Sequence, residues 1–258
     1  MATIYNIQSI VTENLVLCLD AGNPASYIGS GTSWNDISGN SNNLTVASGN
    51  SFPTFNSEGY FTYDKSKTVL QTPSNDILNS TSFYKKTFSV WFKTASSFDA
   101  SNSRGILTMG GSGSNIVIYI NDNDLYMGMK KSGVIDGATT TLTTDTWYNA
   151  TWVLDAADSS SGQADVQKLY VNGSSIGTAE GRNFNSDQPL AIGGGSVGAD
   201  ISGSNLYGYD VHSETLYNID VATSAYDGAI SMVMVYNKAL TAAEVLQNYN
   251  MRKRIYNL

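Results

Sequence analysis

Along most of the chain, apolar and polar residues alternate with a period of two, which marks strands that turn one face to a core. The pattern is clearest over residues 88–94. There Phe88, Val90 and Phe92 share one face while Ser89, Trp91 and Lys93 share the other, which predicts a half-buried strand. Ile116, Ile118 and Ile120 alternate up to Asn121-Asp122-Asn123-Asp124, and Leu125, Met127 and Met129 alternate away from it, so this stretch reads as a hairpin. Residues 147–154, 168–172 and 230–236 repeat the pattern, whereas Leu15 to Leu19 runs on apolar without alternation, as a strand buried on both sides does. Asp20 closes that run. No helical period of ten residues separates the strands, which disfavours a parallel βαβ architecture and points to an all-β chain. Thr241-Ala242-Ala243-Glu244 carries the one good helix start, a capping box followed by Val245, Leu246 and Tyr249 on one face.

Between these elements lie Gly, Ser, Asn and Thr in abundance, the chemistry of hydrogen-bonded turns. Residues 21–43 form a long connection anchored by Trp34 and Ile37, and residues 1–13 are a polar, mixed arm expected to dock on a partner. The organisation expected is therefore an arm over 1–13 and one domain over 14–258, a length that all-β sandwiches reach as a single unit. A net charge of −8 repels phosphate and anionic lipid, which argues against nucleic acid and membrane as partners. The basic cluster Arg252, Lys253 and Arg254 suits the negative end of the preceding helix. Cys18 is the only cysteine, so no intrachain disulfide supports the fold. The first twenty residues lack both a basic region and a continuous apolar core, so no signal peptide is expected.

Three blocks resemble a known family. NLVLCLDAGNPASYIGSGTSWNDISGN at 14–40, the strands FSVWFKT, TWYNATWVLD and LYVNG in the middle, and ISMVMVYNKALTAAEVLQNYN at 230–250 are together similar to the concanavalin A-like, laminin-G-like domains of tailed-phage structural proteins. The resemblance implies a two-sheet antiparallel jelly-roll sandwich with a short C-terminal helix. It further implies a lectin-like virion protein of capsid, tail or fibre, assembled in the host cytoplasm. Its partners would be other virion proteins and further copies of itself. A carbohydrate-binding adhesion module recognising host-surface glycans is the alternative.

Catalysis is not expected. Sandwich glycosidases of this kind place two carboxylates on one strand as Glu-x-Asp-x-x-Glu, and Glu13, Glu58, Glu180, Glu214 and Glu244 are too scattered to form it. The Gly193–Gly198 run matches a nucleophile elbow and a dinucleotide loop, but turn sequence at 200–203 follows it where both motifs need a helix. With His212 the only histidine, neither a Ser-His-Asp triad nor a His-based zinc site is supported. Hard oxygen ligands make calcium the metal to weigh, with Asp20, Asp36 and Asp227 at loop boundaries. Related domains with the ion use an aspartate early in the last strand, where Ser231 stands here, and Asp20 and Asp36 suit turn capping equally; no cofactor and no metal ligands are assigned. The most unusual stretch is 205–228, with Tyr207, Tyr209, His212, Tyr217 and Tyr226 as candidate contact residues. Tyrosines there suit sugar stacking, a subunit contact or cover for a sheet edge.

Overall fold

Each alternating segment becomes a strand in the computed structural model, which describes residues 9–65, 68–73, 83–100, 104–110, 114–131, 134–156, 166–181, 189–194, 206–210, 215–219, 225–256 and 258. In chain order the strands are β1 (Leu15–Asp20), β2 (Ser33–Trp34), β3 (Leu44–Val46), β4 (Thr54–Asn56), β5 (Tyr60–Asp64) and β6 (Leu70–Gln71). There follow β7 (Lys85–Thr94), β8 (Arg104–Gly110), β9 (Ser114–Asn121), β10 (Asp124–Lys131), β11 (Val134–Thr141) and β12 (Trp147–Asp155). The last are β13 (Val166–Val171), β14 (Ser174–Glu180), β15 (Leu190–Ile192), β16 (Leu206–Asp210), β17 (Thr215–Ile219) and β18 (Asp227–Tyr236), before helix α1 (Ala242–Arg252).

Two large sheets result. The first runs β14-β13-β12-β7-β18-β5-β4, and β1 joins it on β18; the second runs β11-β10-β9-β8-β15-β6-β3-β2. Strand β18 shares its far edge between two partners, with Asp227 to Ile230 on β5 and Met232 to Tyr236 on β1. All strand pairs among the described residues are antiparallel. The expected all-β sandwich with a C-terminal helix is the fold observed.

The inner faces meet in one core. Phe88, Val90, Phe92, Trp152 and Val233 from the first sheet pack against Leu107, Ile116, Ile118, Leu125 and Met127 from the second. The hairpin is as expected, with Asn121 opposite Asp124 and the isoleucines opposite Leu125, Met127 and Met129. Trp34 is buried in this core, and Ile37 packs under the helix.

The first sheet differs from the sequence expectation in one respect. Strand β7 is buried on both faces rather than half-buried, because a second apolar layer covers its outer side. Trp91 lies there with Cys18, Val153, Met232, Met234 and Tyr236 beneath Val245 of α1 and Val11 of the N-terminal segment. The Trp91 ring stacks on Tyr249 at 5.5 Å and leans on Tyr256 at 4.9 Å, and Tyr256 stacks in turn on Trp147 at 4.2 Å. Helix α1 starts as its sequence requires: the Thr241 hydroxyl accepts from the Glu244 amide at 3.3 Å, and the Glu244 carboxylate accepts from the Thr241 amide at 2.9 Å.

The described part of the arm, residues 9–13, also departs from expectation. It docks on its own domain. The Val11 amide donates to Asn248 Oδ1 at 2.9 Å, Asn248 Nδ2 donates to the Tyr236 hydroxyl at 3.0 Å, and that hydroxyl donates to the Val11 carbonyl at 3.0 Å. Three buried polar groups thereby satisfy one another in a closed ring, which removes the penalty of unpaired groups beneath the helix. Gln247 Nε2 holds the Ser9 carbonyl at 2.7 Å, and Lys238 bridges Glu13 and Glu244. Residues 1–8 lie outside the described residues.

Candidate functional site

A small, shallow cleft opens at the end of the sandwich where β7 leaves and β18 begins. The β7–β8 connection supplies Ser97, Phe98 and Asp99, the start of β8 supplies Arg104, the β9–β10 tip supplies Asp122, and the start of β18 supplies Asp227. Each is placed by a local rule. Asp122 sits in a two-residue turn with φ of 52°, a left-handed conformation that Asp and Asn tolerate better than most residues. Phe98 is half-buried with its ring against the inner core, while Ser97 and Asp122 are exposed.

The charges in the cleft are already partly matched. Arg104 donates to the Asp99 carboxylate and, at 3.4 Å, to the Ala225 carbonyl. Lys65 meets Asp227 at 3.0 Å. Asp122 takes part in no ion pair among the described residues. What remains for a ligand is an aromatic side chain, a hydroxyl and the Asp122 carboxylate, which suits a hydroxyl-rich molecule. Among the described residues, no glutamate lines the cleft.

Tyr226 forms part of its floor, but not as a surface contact. The side chain is 0 % exposed, its hydroxyl donates to the Lys93 carbonyl at 2.8 Å, and its ring packs on Tyr63 and Phe92. Burial, with Asp227 and Tyr63 nearby, raises its phenol well above the usual range. The candidate role read for it in the sequence is replaced by a core role. Tyr207 and Tyr209 lie on β16 and Tyr217 on β17, a separate two-stranded ribbon in which Tyr207 pairs with Asn218, Tyr209 with Leu216 and Tyr217 with Gly208. His212 lies outside the described residues.

The other sequence candidates find structural employment. Asp20 accepts the Gly22 amide at 3.0 Å and pairs with Arg252 from the last turn of α1. Asp36 accepts the amides of Cys18, Ser38 and Asn42 at 2.8–3.0 Å and so caps a turn. Ser231 shares a hydrogen bond with the Tyr256 hydroxyl. No group of three or more His, Cys, Asp or Glu suited to a metal occurs among the described residues. Gly193 follows β15 with φ of 83°, and a Cβ there would lie 2.1 Å from the Tyr63 ring, so this glycine allows close packing behind Tyr63. Gly195 to Gly198 lie outside the described residues.

Sequence reasoning missed Phe98, Asp99 and Arg104. The available signal was a single aromatic residue in the polar connection Ala95-Ser96-Ser97-Phe98-Asp99-Ala100, too far from Asp122 and Tyr226 in the chain for spacing to join them.

Comparison with known proteins completes the picture. No curated protein matches the sequence. Among solved structures, the binding domain of Paraclostridial Mosquitocidal Protein 1 superposes with a TM-score of 0.62 at 18 % identity, over 93 % of this chain and 52 % of that one. The Botulinum neurotoxin serotype D ligand binding domain, solved with N-acetylneuraminic acid, superposes at 0.60 and 14 % identity, over 93 % of this chain and 51 % of that one. The present chain thus spans about half the length of those toxin domains. Domain 4 of the arabinanase AbnA from Geobacillus stearothermophilus, solved with arabinotriose, superposes at 0.61 and 13 % identity, over 92 % of this chain and 98 % of that one. These likenesses establish the fold. The family model described as the concanavalin A-like lectin/glucanases superfamily matches residues 64–246, and the chain belongs to that family.

Proposed function

We propose that this chain is a non-catalytic carbohydrate-binding domain that recognises glycans in the loop-end cleft. The observation that carries the reading is the cleft itself, with the Phe98 ring beside the Ser97 hydroxyl and the Asp99 and Asp122 carboxylates on a lectin-type sandwich. Sugars present apolar C–H faces and hydroxyl edges together, and such a site matches both. Support comes also from the arabinanase domain solved with arabinotriose, 98 % of which this chain covers. A non-catalytic role accords with a lining in which, among the described residues, no glutamate occurs. The test is a glycan array probed with the full chain and with Phe98→Ala. Binding by the parent that disappears in the variant, with both proteins melting alike, is the expected result; a variant that binds as well as the parent removes the cleft from the proposal.

A particle-borne setting is supported by the opening and closing sequence blocks, residues 14–40 and 230–250, which resemble tailed-phage structural proteins. In that setting the domain is a virion component contacting other virion proteins and copies of itself, with host-surface glycans as its outward ligand. Cryo-electron microscopy of purified particles tests it. Ordered copies on the particle support the setting, and particles lacking the chain refute it.

A further inference from the structure

We infer that the cleft selects neutral glycans over acidic ones, an inference that rests on the reading of the cleft as a glycan site. Among the described residues, both cations near it are engaged. Arg104 is held by Asp99 and the Ala225 carbonyl, and Lys65 by Asp227. The Arg104 side chain is only 12 % exposed, so an incoming carboxylate has no free approach to it. To recruit Arg104, a sialic acid or uronic acid must displace Asp99, which would leave two carboxylates beside each other in a partly desolvated site. Asp122 faces the same space without an ion-pair partner among the described residues, and the whole chain carries a net charge of −8. Both fields oppose an anionic ligand, the near one strongly and the distant one weakly once salt screens it.

A neutral sugar meets none of this opposition. Its hydroxyls donate to Asp122, the Ser97 hydroxyl serves as donor or acceptor, and one sugar face lies on Phe98. Selectivity of this kind comes from repelling the wrong ligand as much as from holding the right one.

The experiment titrates the full chain with neutral oligosaccharides and with the same oligosaccharides capped by sialic acid or hexuronate, at low and moderate salt. The parent is expected to bind the neutral form at least about tenfold more tightly, the scale of one lost charge-assisted contact. Asp122→Asn keeps a residue that accepts positive φ and removes the charge, so it narrows the gap. Phe98→Ala abolishes binding of both forms. Capped glycans bound as tightly as neutral ones, with that binding lost in Phe98→Ala, overturn the selectivity and leave the cleft as the glycan site. Failure to bind any glycan, or binding indifferent to Phe98→Ala, overturns the glycan reading and the selectivity with it.

Discussion

The two faces of the first sheet are both buried, yet they are sealed by different means. The inner face packs Phe88, Val90, Phe92 and Trp152 against the apolar face of the second sheet. The outer face holds Cys18, Trp91, Met232 and Met234 under one helix and five residues of extended chain, and a ring of hydrogen bonds fixes that cover in place. The inner layer therefore rests on area and close packing, whereas the outer layer depends on a few polar contacts at its rim.

Phe88→Ala should give the largest loss, about 3–5 kcal/mol in urea unfolding, because neither flanking sheet can collapse into the cavity. Asn248→Ala should cost about 2 kcal/mol, since it leaves the buried Val11 amide without an acceptor; a negligible cost would show that packing alone seals the outer face. The tryptophans sharpen the contrast. Trp152→Phe removes the 2.7 Å bond from Nε1 to Gln167 Oε1 and should cost about 1–2 kcal/mol. Trp91→Phe removes an indole N–H that has no hydrogen-bond partner among the described residues and keeps a ring under Tyr249 and Tyr256, so its cost should fall within about 1 kcal/mol of zero.

The smallest effect is in the pH dependence near pH 8 to 9, where buried Lys86 on β7 and buried Cys18 in the outer layer act in opposite directions. Burial at the inner end of β7 lowers Lys86 to about 8 from 10.5, so the unfolded chain holds the extra proton between those values and stability rises with pH across them. Burial in the outer layer, with Asp20 and Asp36 adding to it, pushes the Cys18 thiol up to about 12 from 9.0. The unfolded chain then loses its proton first, and stability falls as pH rises above 9.0. Stability should climb from pH 8 to 9 and level off or fall beyond it. Urea unfolding at each pH checks this, with Lys86→Met removing the climb and Cys18→Ala lessening the fall.

The strands, the β9–β10 hairpin and the capped helix were legible because each is determined by neighbours within a few residues, through alternation, turn chemistry or the Thr241–Glu244 pair. The outer layer was not. Alternation in 88–94 shows that one face of β7 is apolar, but Trp91 on the other face carries no mark of the helix that will lie on it from more than 150 residues away. The cleft was hidden for the same reason, being assembled from the β7–β8 connection, a hairpin tip and the start of β18. Tyr226 shows the limit most directly: a tyrosine in a polar connection reads alike whether its hydroxyl meets solvent or, as here, the Lys93 carbonyl.

Strand β18 runs from Asp227 at the cleft to Tyr236 at the hydrogen-bonded ring, roughly 30 Å for its ten residues. Ser9 and Val11 are tied to Gln247 and Asn248 at the far end of that span. Tension applied between the N-terminal segment and helix α1 is therefore carried across those bonds and the Lys238 bridge, along a short path that bypasses both sheets. The candidate cleft and this clasp sit at opposite ends of one strand, so a pull on the N-terminal segment is resisted roughly 30 Å from the cleft.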